Sequence, residues 1–196
     1  MTDVPLPQRR EQPRALPDVT PQRLTEYIKR KLPQLKNPVV KTLTPILAGF
    51  SKQTFLIDLE CDGAAMPLVM RRDLPGGSAD TSAVDEYPIV AALHRQGLRV
   101  PEPVHAEPDA SEFGEPFTLT RRAPGNVVSN PIEGRPLNAD TRTGALELAC
   151  FLARLHSLKP ARLDLPNGFY DPKLTVRDCL MRQIEGCGAF YRRHRL

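Results

Sequence analysis

Residues Ala48-Gly49-Phe50-Ser51-Lys52-Gln53-Thr54 bring a glycine, two small hydroxyls and a lysine into one short segment. A turn of that composition lets backbone N–H groups come close to an anionic oxygen, such as one on a phosphate. The same residues also fit a plain hairpin turn. Further along, Leu68-Val69-Met70-Arg71-Arg72 ends in a guanidinium pair, and Arg71 could grip a phosphate through two parallel hydrogen bonds. Glu86 then offers a carboxylate that could pair with it. If the strand register is displaced by one residue, Arg71 and Arg72 are instead simply solvated.

The elements that must position these groups follow from periodicity. Thr20-Pro21 starts a helix, the hydroxyl capping free N–H groups and the proline taking the first helical position. Leu24, Ile28 and Leu32 then recur on one face. Residues 41–47 read as a strand leading into the Gly49 turn. Residues 53–60 alternate, with Phe55, Ile57 and Leu59 on one face and Leu56, Asp58 and Glu60 on the other. Cys61-Asp62-Gly63 supplies an Asp-Gly turn, and residues 67–72 return as a third strand of a meander.

After a loop at Pro75-Gly76-Gly77-Ser78, residues 84–95 form a helix whose Val84, Tyr87 and Ala91 can share one side. Pro88 is tolerated only in a first turn, so the expected start is Asp85 or Glu86. Strands are predicted at 104–107 and 116–121, separated by a turn at 109–114. A loop runs to Asn138, and a helix capped by Asp140 follows over 140–158, with Leu148, Leu152 and Leu155 on one face. A last, less periodic helix spans about 174–193.

Composition narrows the function classes. A chain of 196 residues with 40% hydrophobic residues can bury a core. Many of the 21 prolines sit in the first 40 residues and between Pro101 and Pro136, which implies long extended connections. The net charge of +4 is spread as pairs, Arg9-Arg10, Arg71-Arg72, Arg121-Arg122 and Arg192-Arg193, with no dense stripe and no Trp, so nucleic acid is not an expected partner. Cys61, Cys150, Cys179 and Cys187 lack the spacing of a zinc motif and fit reduced cytoplasmic thiols. Residues 1–14 are polar and proline-rich, a flexible leader without the apolar stretch of a secretory signal or membrane span.

With its order and spacing over residues 44–158, the chain resembles the aminoglycoside phosphotransferase and choline kinase-like superfamily, particularly the branch associated with acyl-CoA dehydrogenases. The matching segments are Leu47 to Leu56, Leu68 to Arg72, Glu86-Tyr87, Gly97 to Pro103, Gly114 to Phe117 with Ala123-Pro124-Gly125, and Leu152-Ala153-Arg154-Leu155-His156. The resemblance implies an α+β, protein kinase-like fold: a smaller lobe with a five-stranded antiparallel sheet plus one helix, then the first helices of an incomplete larger lobe. It divides the chain into a leader (1–19), the smaller lobe with its leading helix (20–122) and a hinge-following loop with the start of a helical lobe (123–196).

The resemblance also implies roles. Gly49, Phe50, Ser51 and Lys52, with Thr54 behind them, would cover the ATP phosphates. Arg71 would contact the inner phosphates with Glu86 as its ion-pair partner, in a position where many kinases carry Lys. Thr120, Arg121 and Arg122 would form the hinge against the adenine edge, although similar proteins often carry an acidic residue near Arg121. His156 is read as a structural histidine in the larger lobe's core. Asp58 and Glu60, which imitate a metal-binding Ile-Asp-x-Glu element, are read as solubilising edge residues because they precede Arg71.

The resembling enzymes need a His-Gly-Asp-type loop, an Asn shortly after it and a metal-binding Asp. None follows His156 in these residues, so no catalytic residue and no metal ligand is assigned. The expectation is an N-terminal, ATP-binding portion of a small-molecule kinase that transfers the γ-phosphate to a hydroxyl. Mg²⁺ would be held by residues outside it, and its last helices would expose apolar faces. A non-catalytic nucleotide-binding or interaction module is the alternative.

Overall fold

The computed structural model describes residues 16–46, 52–75, 81–125, 139–166 and 173–194. Helix α1 (Pro21–Lys31) begins as expected, with the Thr20 hydroxyl accepting from the Arg23 N–H at 3.3 Å and Pro21 at the first position. Strands β1 (Val39–Ile46), β2 (Lys52–Cys61) and β3 (Ala64–Asp73) make the antiparallel meander. Asp62 and Gly63 both have positive φ, 48° and 78°, the pair of conformations that a tight two-residue hairpin requires. Helix α2 (Ala83–Arg95), strands β4 (Pro103–Glu107) and β5 (Phe117–Arg121) follow, and the sheet order is β1-β2-β3-β5-β4.

One face of this sheet carries the core. Phe55, Ile57, Leu59, Leu68, Met70, Phe117 and Leu119 are buried there against Leu24, Tyr27, Ile28 and Leu32 of α1. Tyr27, Phe113 and Phe117 pack edge to face, with ring centroids 5.3–5.5 Å apart. Helix α2 packs against β3, β4 and β5 and carries Glu86 to the other face. Gly114 stands where the chain tolerates no side chain: its φ is +86°, and an added Cβ would lie 2.5 Å from the Pro17 ring.

Three expectations change. Helix α2 starts at Ala83, earlier than the proline suggested, because Ser82 and Asp85 form a reciprocal capping box and the Asp73 carboxylate accepts the Ala83 N–H at 2.9 Å. Pro88 therefore stands inside the helix. Strand β2 is interior, so Asp58 and Glu60 are not edge residues. The leader is held at its end, where residues 16–19 lie on the lobe and the Pro17 and Asp18 carbonyls accept from Arg72 and Arg23.

Beyond the sheet stand α3 (Ala139–Ser157), which begins one residue before the predicted cap Asp140, and α4 (Val176–His194). The latter opens on a Thr175 and Asp178 capping box. Helix α3 touches the smaller lobe where Arg154 Nη2 donates to the Gln96 carbonyl (3.3 Å). Leu146, Leu148, Leu152, Leu180, Met181 and Ile184 are exposed on these two helices.

Candidate functional site

Strand register builds the site row by row. Arg71 lies opposite Thr54 on β2 and Thr118 on β5, so these three side chains share the sheet face away from α1. The next row on that face is Thr44, Leu56, Val69 and Thr120, and the one after it is Thr42, Asp58, Pro67 and Arg122. Arg71 Nη1 donates to Glu86 Oε2 at 2.8 Å, an ion pair with both partners partly solvated. A guanidinium has five N–H donors, and Glu86 uses one of them. The rest of the fork can take a phosphate oxygen while Glu86 fixes the direction of the side chain.

Arg72 points the other way and is buried. Its Nη1 donates to the Pro17 and Phe113 carbonyls (2.8 and 2.7 Å), its other nitrogens donate to Gln53 Oε1, and its guanidinium lies 5.7 Å from the Phe55 ring centre. The alternation of β3 thus separates the two arginines and removes the displaced-register reading.

Leu56 and Val69 were not singled out from the sequence. They are half-buried, adjacent across β2 and β3, and form an apolar patch between Thr44 and Thr120, one row from Arg71. The signal was legible: Leu56 is the apolar residue on the polar face of an alternating strand.

At the end of β5, backbone donors are partly spent. The Arg121 N–H donates to the Glu102 carbonyl (2.8 Å) and the Arg122 N–H to the Pro67 carbonyl (3.0 Å), which leaves Ala123 as the next donor, since Pro124 has none. The side chains of Arg121 and Arg122 pair with Glu102 (3.8 Å) and Asp58 (3.1 Å). Asp58 also accepts from the Thr42 hydroxyl, and that bond, then Arg122, holds its carboxyl below the ordinary carboxylate range. Glu60 pairs with Lys41 at 3.4 Å.

Lys52, expected to cover a phosphate, is turned inward at the start of β2. It is buried, its ammonium 3.0 Å from Asp73 Oδ1, and it donates to the Thr81 carbonyl. Gly49, Phe50 and Ser51 lie outside the described residues. His156 is exposed on α3 and not enclosed in a core, because its helix has no partner on that side among the described residues. No three His, Cys, Asp or Glu side chains converge as a metal cluster among the described residues. No described helix is long and apolar enough to cross a membrane.

A second polar cluster lies on the α1 side of the sheet. The Tyr27 hydroxyl donates to Glu107 Oε2 and meets His105 Nε2, both at 2.8 Å, and Lys31 Nζ stands 3.2 Å from Glu107. Burial, then the bond to Glu107, pushes the Tyr27 phenol well up, and burial pushes the His105 imidazole down. No buried side-chain polar atom among the described residues lacks a partner.

The sequence profile of the phosphotransferase enzyme family matches residues 42–185. No curated protein matches the chain. Among solved structures, a candidate aminoglycoside phosphotransferase from Ralstonia eutropha JMP134 is similar, with a TM-score of 0.54 at 20% identity. The match covers 87% of this chain and 46% of that one, so the chain spans about half the length of the structure it matches.

Proposed function

The chain belongs to the phosphotransferase enzyme family, and from that premise we propose that it supplies the ATP-binding part of a small-molecule kinase acting in the cytoplasm. The Arg71–Glu86 pair, 2.8 Å apart beside the Leu56 and Val69 patch, carries this reading. Arg71 neutralises phosphate charge and orients it, Leu56 and Val69 support the base, and the chain from Thr120 to Ala123 meets its edge. The fork geometry of Arg suits a polyphosphate, and the half-buried patch suits an apolar ring face. The described residues supply no carboxylate cluster for Mg²⁺, and no step is assigned to that ion.

Transfer of the γ-phosphoryl group to a substrate hydroxyl is proposed for a protein that carries these residues together with a His-Gly-Asp-type loop. Such transfer depends mostly on positioning and on stabilising developing charge, and Arg71 contributes to both. A non-catalytic nucleotide-binding or interaction role is the second reading, since the Arg71–Glu86 pair and the Leu56 and Val69 patch would serve binding alone.

Calorimetric titration of the chain with ATP and with a non-hydrolysable analogue tests the binding claim. Saturable binding is expected, weakened about tenfold or more by Arg71→Ala, as loss of a charge-assisted contact implies. No binding, or equal binding by the variant, overturns it.

A further inference from the structure

We propose that Lys52 is a positioning residue that holds the first turn of α2 so that Glu86 meets Arg71. The inference rests on the nucleotide reading of that pair. Lys52 is the first residue of β2, and only 7% of its side chain is exposed. Its ammonium joins two chain segments that converge on one helix end. Asp73, at the end of β3, forms an ion pair with Lys52 through Oδ1 (3.0 Å), accepts from the Ala83 N–H at the same oxygen (2.9 Å), and accepts from the Ser82 hydroxyl through Oδ2. The Thr81 carbonyl accepts from Lys52 directly.

The path continues to the site. The Thr81 hydroxyl donates to Glu86 Oε1 (3.4 Å), and Glu86 Oε2 accepts from Arg71 Nη1 (2.8 Å). One buried cation thus ties the start of β2 to the cap of α2, and the cap to the carboxylate that aims Arg71. An Asp at a helix N-terminus is favoured by the free N–H groups there. The Asp73 side chain, 14% exposed, faces the buried Lys52 ammonium, and each charge compensates the other. If Lys52 turned to a phosphate, Asp73 would be left without it. The covering role and the tethering role therefore exclude each other in one state.

Two measurements separate them. In Lys52→Met, amide exchange over residues 83–90 is expected to quicken about tenfold while α1 amides keep their protection, because local opening reports the strength of a local tether. The double variant Lys52→Met with Asp73→Asn removes both charges together and guards against general unfolding; it should show the same local effect. For affinity, a cycle with Glu86→Gln is decisive. Lys52→Met should weaken ATP-analogue binding about tenfold alone and less than twofold in the Glu86→Gln background, since a residue acting through Glu86 loses its effect when Glu86 is altered.

Unchanged exchange in both variants, or a full penalty that persists with Glu86→Gln, overturns the proposal. In the second case Lys52 contacts the nucleotide itself. If the unsubstituted chain binds no nucleotide, the ATP reading fails, and the exchange comparison still decides whether Lys52 holds α2.

Discussion

Arg71 and Arg72 are adjacent in sequence and opposite in surroundings, because successive side chains of a strand leave on opposite faces. Arg71 is 43% exposed and pairs with a partly solvated Glu86. Its removal should therefore cost less than about 1 kcal/mol of stability, the range of exposed ion pairs. Arg72 is 3% exposed and satisfies the Pro17 and Phe113 carbonyls and Gln53 at once. Arg72→Ala should cost about 2–4 kcal/mol, since it strands the buried Phe113 carbonyl and the part-buried Pro17 carbonyl and Gln53 amide oxygen. Urea unfolding of the two variants checks this contrast. Equal losses would mean that β3 does not present these residues as described.

At the scale of the element, α2 shows local signals in conflict and which of them prevails. Pro88 lacks the N–H that would bond the Val84 carbonyl and argues for a late start. Ser82, Asp85 and Asp73 together satisfy the N–H groups of an early one. Several cap bonds outweigh one missing ladder bond, and the helix accepts the proline. Ser82→Ala is expected to lower stability by about 1 kcal/mol, the usual cost of losing a cap. Pro88→Ala should raise it by about 1–3 kcal/mol by restoring a donor and relieving ring crowding. Thermal unfolding of the two variants checks both, and opposite shifts in midpoint are the expected result.

At the scale of the molecule, α1 is docked on the sheet through the Tyr27, His105 and Glu107 cluster, and that docking should depend on pH. The groups facing His105 and Glu107 are Tyr27, Lys31 and, across α1, Arg30 and Glu112. Burial lowers the His105 pKa from its ordinary 6.5. Burial raises that of Glu107, but bonds from the Asp109 N–H, Tyr27 and Lys31 outweigh it and leave the carboxyl below its ordinary 4.5. Both groups bind fewer protons folded than unfolded, so stability rises with pH across these windows. It should be full above about pH 6.5, fall first through His105 and fall again below about pH 4.5 through Glu107. Urea midpoints at pH 7, 5.5 and 4 measure this. His105→Gln should remove the upper part of the loss and keep the lower part.

By itself the sequence determined the elements of the lobe. Alternation in Phe55 to Glu60, the Asp62-Gly63 turn and the Thr20-Pro21 cap are local signals, and local backbone preferences place strands, turns and helix starts. It also determined that Arg71 and Glu86 could meet, because their types and order match the phosphotransferase family. Tertiary structure alone decided what each charge does. Which face of β3 Arg71 occupies, where Lys52 sends its ammonium and whether Leu56 and Val69 form a platform all depend on strand register. Register is set by the burial of one face against α1, a long-range packing energy that no short stretch of residues contains.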